Sequence, residues 1–386
     1  MSKSNSRAPV EKFHFPNSKT LWHDSSARPR SLGCQDCVYL ASCGGLNVGS
    51  GIYDCRTYCR CTDPATCDNV CPNNGEHMVA RSMEVGGFGL ANVRRAPKLS
   101  KPALPLVVPM IFHNSARLKG PDVSTIALSL YEVIDKKAGS SRFNTRQELL
   151  NHFKLSDHTD LILSGVDEDP PLERWWRLPD RQSVVRDLKR IGIKLITTPN
   201  FSLFNDVPRH DNMYNMKRIA RAWAELQQEG IPSALHLNAR TDHDWDTWAT
   251  FLQARPEIDY VAFEFATGAG SKSRTAWHVK KLRGLAAQVE RPLHLIARGG
   301  LGEARVLGSE FAGLTVIDTN SFMRAQKRRR AKLEDGKIRW EKSPTAPGEP
   351  IDDILATNIE ITQRYAELFL LQGRTCDATS EQVAMA

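Results

Sequence analysis

The sequence predicts an α/β protein: a (β/α)8 TIM-type barrel with an N-terminal cysteine-rich metal or cluster module. Three observations carry this expectation. Eight short apolar runs alternate with amphipathic stretches over residues 103–345, the pattern of strands and helices wound around one sheet. Eight of the nine cysteines fall between Cys34 and Cys71. The 386 residues are 41% hydrophobic and 25% charged, a globular balance that excludes wholesale disorder, collagen-like chains and coiled coils. An open doubly wound sheet is the alternative fold.

The elements follow in order. Residues 1–33 are polar and read as a flexible lead-in without a signal-peptide apolar core, so a cytosolic location is the default expectation. No apolar run reaches the roughly 18–20 residues of a bilayer span, so no membrane partner is expected. Residues 34–77 form the cysteine module, and 78–102 read as a Gly- and basic-rich linker. The strand candidates are 104–112, 125–134, 161–166, 194–198, 233–237, 260–265, 293–297 and 314–317. Helices are expected at 145–153, 180–191, 211–229, 242–254, 273–289 and 303–311, several with Asn or Asp at the start and Gly at the end. A last helix over 351–371 is expected on the barrel's outside, within a C-terminal helix and tail spanning 346–386.

The cysteine spacing is Cys34-x2-Cys37-x5-Cys43, then Cys55-x3-Cys59-x-Cys61-x5-Cys67-x3-Cys71-Pro72. Close Cys pairs on tight turns are what a four-thiolate site needs, and eight thiolates serve two such sites. Disulfides are disfavoured in a reducing compartment. The module is therefore expected to bind an iron–sulfur cluster or Zn2+, with a slight lean to iron–sulfur and a structural role. Cys34 to Gly45 is similar to the start of the auxiliary cluster motif of radical-enzyme accessory domains, and Cys71-Pro72 resembles the last ligand of bacterial ferredoxins.

A barrel places its chemistry at the C-terminal ends of its strands. Those ends carry His113-Asn114, Asp167-Glu168-Asp169, Asn200, Asn238, Glu264, Arg298-Gly299-Gly300 and Asp318. Asp167 and Glu168 form an acidic turn, suited either to capping a helix or to reading a base. Asn200 and Asn238 offer amides, Glu264 a carboxylate and Arg298 a fixed cation. Glycines 299 and 300 could bring backbone N–H groups to a phosphate. Asp318 is either a helix cap or a nucleophile that attacks an anomeric carbon. Beyond it Arg324, Lys327, Arg328, Arg329, Arg330 and Lys332 form a basic run that is either a solvated face or a grip on phosphates. The net charge of +8 is compatible with a DNA or RNA partner without establishing one. Trp245 and Trp248, three apart on a helix, read as core. Trp175 and Trp176, after the acidic turn, are candidates for base stacking.

Two of these segments together resemble the tRNA-guanine transglycosylase superfamily, and its DNA-modifying deazaguanine branch in particular. The stretch from Asp160 to Glu168 is similar to a family strand that ends in Asp-Glu. Ile317-Asp318-Thr319, Ser321-Phe322, Arg324-Ala325 and Asp335-Gly336 follow the order of a late family motif. The resemblance implies a (β/α)8 transferase that exchanges guanine in nucleic acid for a 7-deazaguanine, with Asp318 as nucleophile and Asp167 as base reader. The family's Asp-Ser-Gly-Gly-Phe segment has no counterpart, since Ala127-Leu128-Ser129-Leu130-Tyr131 stands there, so the general base is unassigned. The family's C-terminal zinc site is also absent. A second resemblance, over Thr198-Pro199-Asn200-Phe201-Ser202-Leu203-Phe204 with Asn215 and Arg218, is to an uncharacterised bacterial and phage domain family and implies no activity. The alternatives are a phosphate- or flavin-binding barrel enzyme and a non-catalytic nucleic-acid-binding protein.

Overall fold

The computed structural model describes residues 81–135, 139–203, 209–266 and 272–370. The eight cysteines of the N-terminal module lie outside these residues, as do residues 1–80 and 371–386. Eight strands run parallel in one sheet: β1 (Val107–Pro109), β2 (Thr125–Ser129), β3 (Asp160–Ser164), β4 (Leu195–Thr197), β5 (Ser233–His236), β6 (Tyr260–Glu264), β7 (His294–Arg298) and β8 (Gly313–Asp318). β1 pairs with β8, and the remaining strands pair in sequence order back to β2. The sheet is nearly closed. A single parallel bridge, Met110 to Ala127, joins the two outer strands, and the Ile111 N–H donates to the Ala127 carbonyl at 2.9 Å. The eight-strand expectation therefore stands as a barrel-like parallel sheet.

Helices α1 (Arg146–Phe153), α2 (Asp169–Trp176), α3 (Arg181–Arg190), α4 (Arg209–Gln228), α5 (Asp242–Gln253), α6 (Lys272–Val289), α7 (Ala304–Glu310), α8 (Asn320–Gln326) and α9 (Asp352–Leu370) fill the connections. Their starts follow local chemistry. Thr145 accepts from the Glu148 N–H at the head of α1, and Thr241 and Asp244 form a reciprocal capping box on α5. Gly192 and Gly230, both at positive φ, end α3 and α4. The β1–β2 connection carries no α-helix, whereas the β3–β4 connection carries two.

Strand alternation sorts the sheet into two faces. Val108, Met110, Ala127, Ile162, Leu195, Ala234, Ala262, Ile296 and Ile317 pack together inside the sheet. Their neighbours, such as Leu161, Leu163, Leu235, Val261, Leu295, Leu314 and Val316, pack outward against the helices. This parity decides which strand-end side chains face the mouth.

Two segments depart from the sequence expectation. The linker at 78–102 is not a free connector over its described part: Val85, Leu90 and Val93 are buried in the outer core, and the segment lies along α4. The basic run is not a loose face either. β9 (Arg329–Glu334) and β10 (Lys337–Lys342) form an antiparallel hairpin, with Asp335 and Gly336 at positive φ as its two-residue turn. The buried Asn358 of α9 holds it, accepting from the Ala331 N–H at 2.6 Å and donating to the Arg329 carbonyl at 3.0 Å. Among the described residues no helix is long and apolar enough to cross a membrane.

Candidate functional site

The C-terminal mouth of the sheet gathers polar side chains from adjacent strands. Ala262 faces inward, so Glu264 two residues on does too; the same parity carries Ile296 to Arg298 and Ala234 to His236. Arg298 Nη1 donates to Glu264 Oε2 at 2.9 Å. The pair is nearly enclosed, with side chains 11% and 6% exposed. Arg298 Nε is buried and has no hydrogen-bond partner among the described residues.

His236 closes the next position. Its Nδ1 lies 2.6 Å from the Thr198 carbonyl. A carbonyl only accepts, so Nδ1 carries the proton and Nε2 is left as the acceptor nitrogen in the neutral ring. Burial pushes the imidazole down to about 4, opposed by the Thr198 hydrogen bond and assisted by the Arg298 charge. The ring is therefore neutral at physiological pH.

On the β3–β5 side the strand ends are stitched together. Gly165 N–H donates to Thr197 Oγ1 at 3.0 Å, and Asn200 N–H donates to the Gly165 carbonyl at 3.0 Å. A Cβ on Gly165 would stand 2.4 Å from the Thr197 and Thr198 carbonyl oxygens, so only glycine lets these strands approach. Asn238 Nδ2 donates to Asn200 Oδ1 at 3.1 Å and to the Phe201 carbonyl at 2.9 Å. Trp248 Nε1 fixes the Asn238 carbonyl at 2.9 Å. Asp167 is exposed; its carboxylate accepts from the Glu168 N–H at 2.8 Å and from Ser129 Oγ at 3.4 Å. Ser164, inward by parity with Ile162, has a buried hydroxyl without a partner among the described residues.

Arg218 and Asn215 support this side from α4. Arg218 binds Glu173 through two bonds of 2.9 Å and stacks 3.9 Å from the Phe201 ring centre. Asn215 Nδ2 donates to the Ser202 carbonyl at 2.5 Å. The motif around Thr198–Leu203 is thus a rigid shelf that carries Asn200.

Asp167, Asn200, Asn238, Glu264 and Arg298 thus gather at one end of the sheet. Glu168, also exposed, is the residue that precedes α2 and makes no side-chain cap. Gly299 and Gly300 have positive φ, but the Gly299 N–H already donates to the Ile317 carbonyl at 3.0 Å. A Cβ at Gly300 would meet the Phe265 ring at 2.6 Å. Close packing against the end of β6 accounts for both glycines.

Asp318 is the departure with the largest consequence. Leu314 and Val316 face the helices and Ile317 faces inward, so Asp318 follows the outward set. Its Oδ1 accepts from the Asn320 N–H at 2.8 Å, and its Oδ2 accepts from the Ser321 N–H at 3.3 Å and from the Ser321 hydroxyl. Thr319, the residue that formally caps α8, makes no side-chain cap bond. Asp318 does that work in its place, 5% exposed, and burial raises its carboxyl above the ordinary carboxylate range. Of the two readings of Asp318, helix cap and nucleophile, the geometry matches the cap.

The basic positions are largely engaged. Arg324 lies over Trp340, Arg328 donates to the Glu349 carbonyl, Arg330 to Thr357 Oγ1, and Lys332 pairs with Glu334 and Glu341. Lys327 is exposed, and Arg329 is half-buried in β9. Trp175, Trp176, Trp245 and Trp248 are all buried, so none offers a stacking face. Among the described residues no group of three or more His, Cys, Asp or Glu is placed to hold a metal ion. His236, Ser164 and Thr197 are missed by a reading of the apolar runs alone. Strand parity is the signal that finds them, since each lies an even number of residues from an inward apolar position. No protein-family model and no curated protein matches the chain.

Proposed function

We propose that the mouth binds a guanine-type nucleotide and that the protein is a barrel enzyme acting on it there. The observation that carries the reading is the nearly enclosed Glu264–Arg298 pair beside neutral His236. A phosphate oxygen is the acceptor such a guanidinium takes best. The exposed carboxylate of Asp167 suits the two N–H donors of a guanine edge, and the amides of Asn200 and Asn238 suit its carbonyl. His236 Nε2 is the group able to take or return a proton. The resemblance to guanine transglycosylases supports the choice of base and of a nucleic-acid or nucleotide substrate. Transfer at the glycosidic bond is the reaction class it brings, with a mouth group and not Asp318 at the reacting carbon.

Calorimetry with GMP, 7-deazaguanine and CMP tests this. Saturable GMP binding is expected, with CMP weaker. Arg298→Met and Asp167→Asn should each weaken GMP by about tenfold or more, the equivalent of one lost charged hydrogen bond. Absence of binding, or binding that ignores both substitutions, overturns the proposal.

A further inference from the structure

A polar cavity also lies away from the mouth. A cleft of about 520 Å³ opens between the 83–94 segment and α4, on the outer wall of the barrel. Its volume is in the range of small-molecule sites. Lys217 lines it and is 1% exposed. Its ammonium donates to the Gly89 carbonyl and to Asn92 Oδ1, both neutral acceptors. No ion pair reaches Lys217 among the described residues. The charges that act on it are Arg221 and Arg255, both of its own sign.

The carboxylates that also line the cleft are committed elsewhere. Glu225 is gripped by Arg181 through bonds of 3.0 and 2.9 Å. Glu84 accepts from the Tyr214 hydroxyl at 2.7 Å and from Trp176 Nε1. Arg221 reaches Glu225 only at 4.0 Å, and its other bond is to the Glu84 carbonyl at 2.8 Å. Arg94 is exposed at the rim, and its guanidinium has no partner among the described residues.

A buried cation without a counter-ion is unfavourable, and a cavity beside it invites one. We infer that this cleft is an anion site that takes a phosphate or pyrophosphate group against Lys217, Arg221 and Arg94, independently of the mouth. Such a ligand would neutralise three like charges held on α4 and the 83–94 segment. It would also tie that segment to the barrel. Desolvation together with the two guanidiniums pulls the Lys217 ammonium down to about 8, and a bound anion should reverse that shift.

Calorimetry on the full chain with inorganic phosphate and with pyrophosphate is the test, read together with an NMR titration of the Lys217 ammonium. In the Arg298→Met protein, whose mouth lacks its proposed phosphate-binding cation, saturable one-to-one pyrophosphate binding is expected, with phosphate weaker. Arg94→Gln and Arg221→Gln should each weaken it by about tenfold. Arg339→Gln, on the β9–β10 hairpin, should leave it unchanged. The Lys217 titration should move to higher pH when pyrophosphate is present. Because Lys217→Met could loosen the 83–94 segment, the two arginine variants carry the decision. Lack of saturable binding, an unmoved Lys217 titration, or loss of binding on Arg298→Met alone would each overturn the inference.

Discussion

Replacing Asp318 separates a helix cap from a nucleophile. Asp318→Ala removes three acceptor contacts at once: the Asn320 N–H at 2.8 Å, the Ser321 N–H at 3.3 Å and the Ser321 hydroxyl. Ser321 is fully buried, so its N–H finds no water in exchange. A lost cap contributes about 0.5–2 kcal/mol, and each orphaned buried donor about 1–3 kcal/mol. Allowing for overlap between these terms, a loss of about 2–4 kcal/mol is expected. Asp318→Asn keeps one acceptor oxygen, and its new amide can donate to Ser321 Oγ, which remains free to donate to Thr362 Oγ1 at 3.2 Å. Its loss should be about half as large. The pH dependence has a definite sign. Burial raises the folded carboxyl above its unfolded value, so wild-type stability falls as pH rises through the interval between the two, and Asp318→Asn abolishes that fall. Urea unfolding followed by tryptophan fluorescence at several pH values measures both effects. GMP binding should change less than about twofold, since the side chain faces the helices and not the mouth. Unaltered stability combined with lost base exchange would refute this reasoning and restore Asp318 as the nucleophile.

Three further outcomes follow from the same structure. His236 has a folded value of about 4 against an ordinary 6.5; its neutral form contributes stability above pH 6.5 that is lost as pH falls toward 4, about 3 kcal/mol in full, and stability–pH curves for His236→Gln should be flatter over that window, an unchanged slope contradicting the assignment. Gly165→Ala should destabilise by about 1–3 kcal/mol or more, because the new methyl meets two carbonyl oxygens at 2.4 Å, and thermal unfolding of this variant at wild-type temperature would show that β3 and β4 are less tightly joined. The N-terminal cysteines, Cys34 to Cys71, are proposed ligands of zinc or an iron–sulfur cluster; elemental analysis with a visible spectrum should find metal, and folded metal-free protein with freely titrating thiols would exclude it.

Much of the architecture is legible because its signals are periodic. Each strand is a short apolar run bounded by turn residues, and parallel strands buried on both faces read as continuous runs. The helix ends at Gly192 and Gly230 are legible for the same local reason. The β9–β10 hairpin is harder. Its strands are charged and half-exposed, so no apolar alternation marks them, and the Asp335-Gly336 turn is the signal that was there to use. The site divides similarly. Asp167, Asn200, Asn238, Glu264 and Arg298 can be placed at one end of the sheet from sequence because strand ends in a barrel share a rim. His236 hides inside an apolar run, and its inward placement depends on parity. Asp318 shows the limit in the other direction. One residue beyond inward-facing Ile317, its side chain turns to the opposite face. A strand-end position in the sequence does not reveal that without the register of the whole strand. The cleft beside Lys217 depends on the packing of residues 83–94 against α4, a long-range contact with no local signature.

The central claim is that the mouth between β3 and β7 is where ligand binds. A crystal structure of the full chain grown with GMP tests it most directly. The account expects the phosphate within hydrogen-bond distance of Arg298 and the base edge against Asp167, with Asp318 still capping α8. A nucleotide seated against Asp318 on the helix side, or a mouth left empty while the nucleotide occupies only the Lys217 cleft, would contradict it.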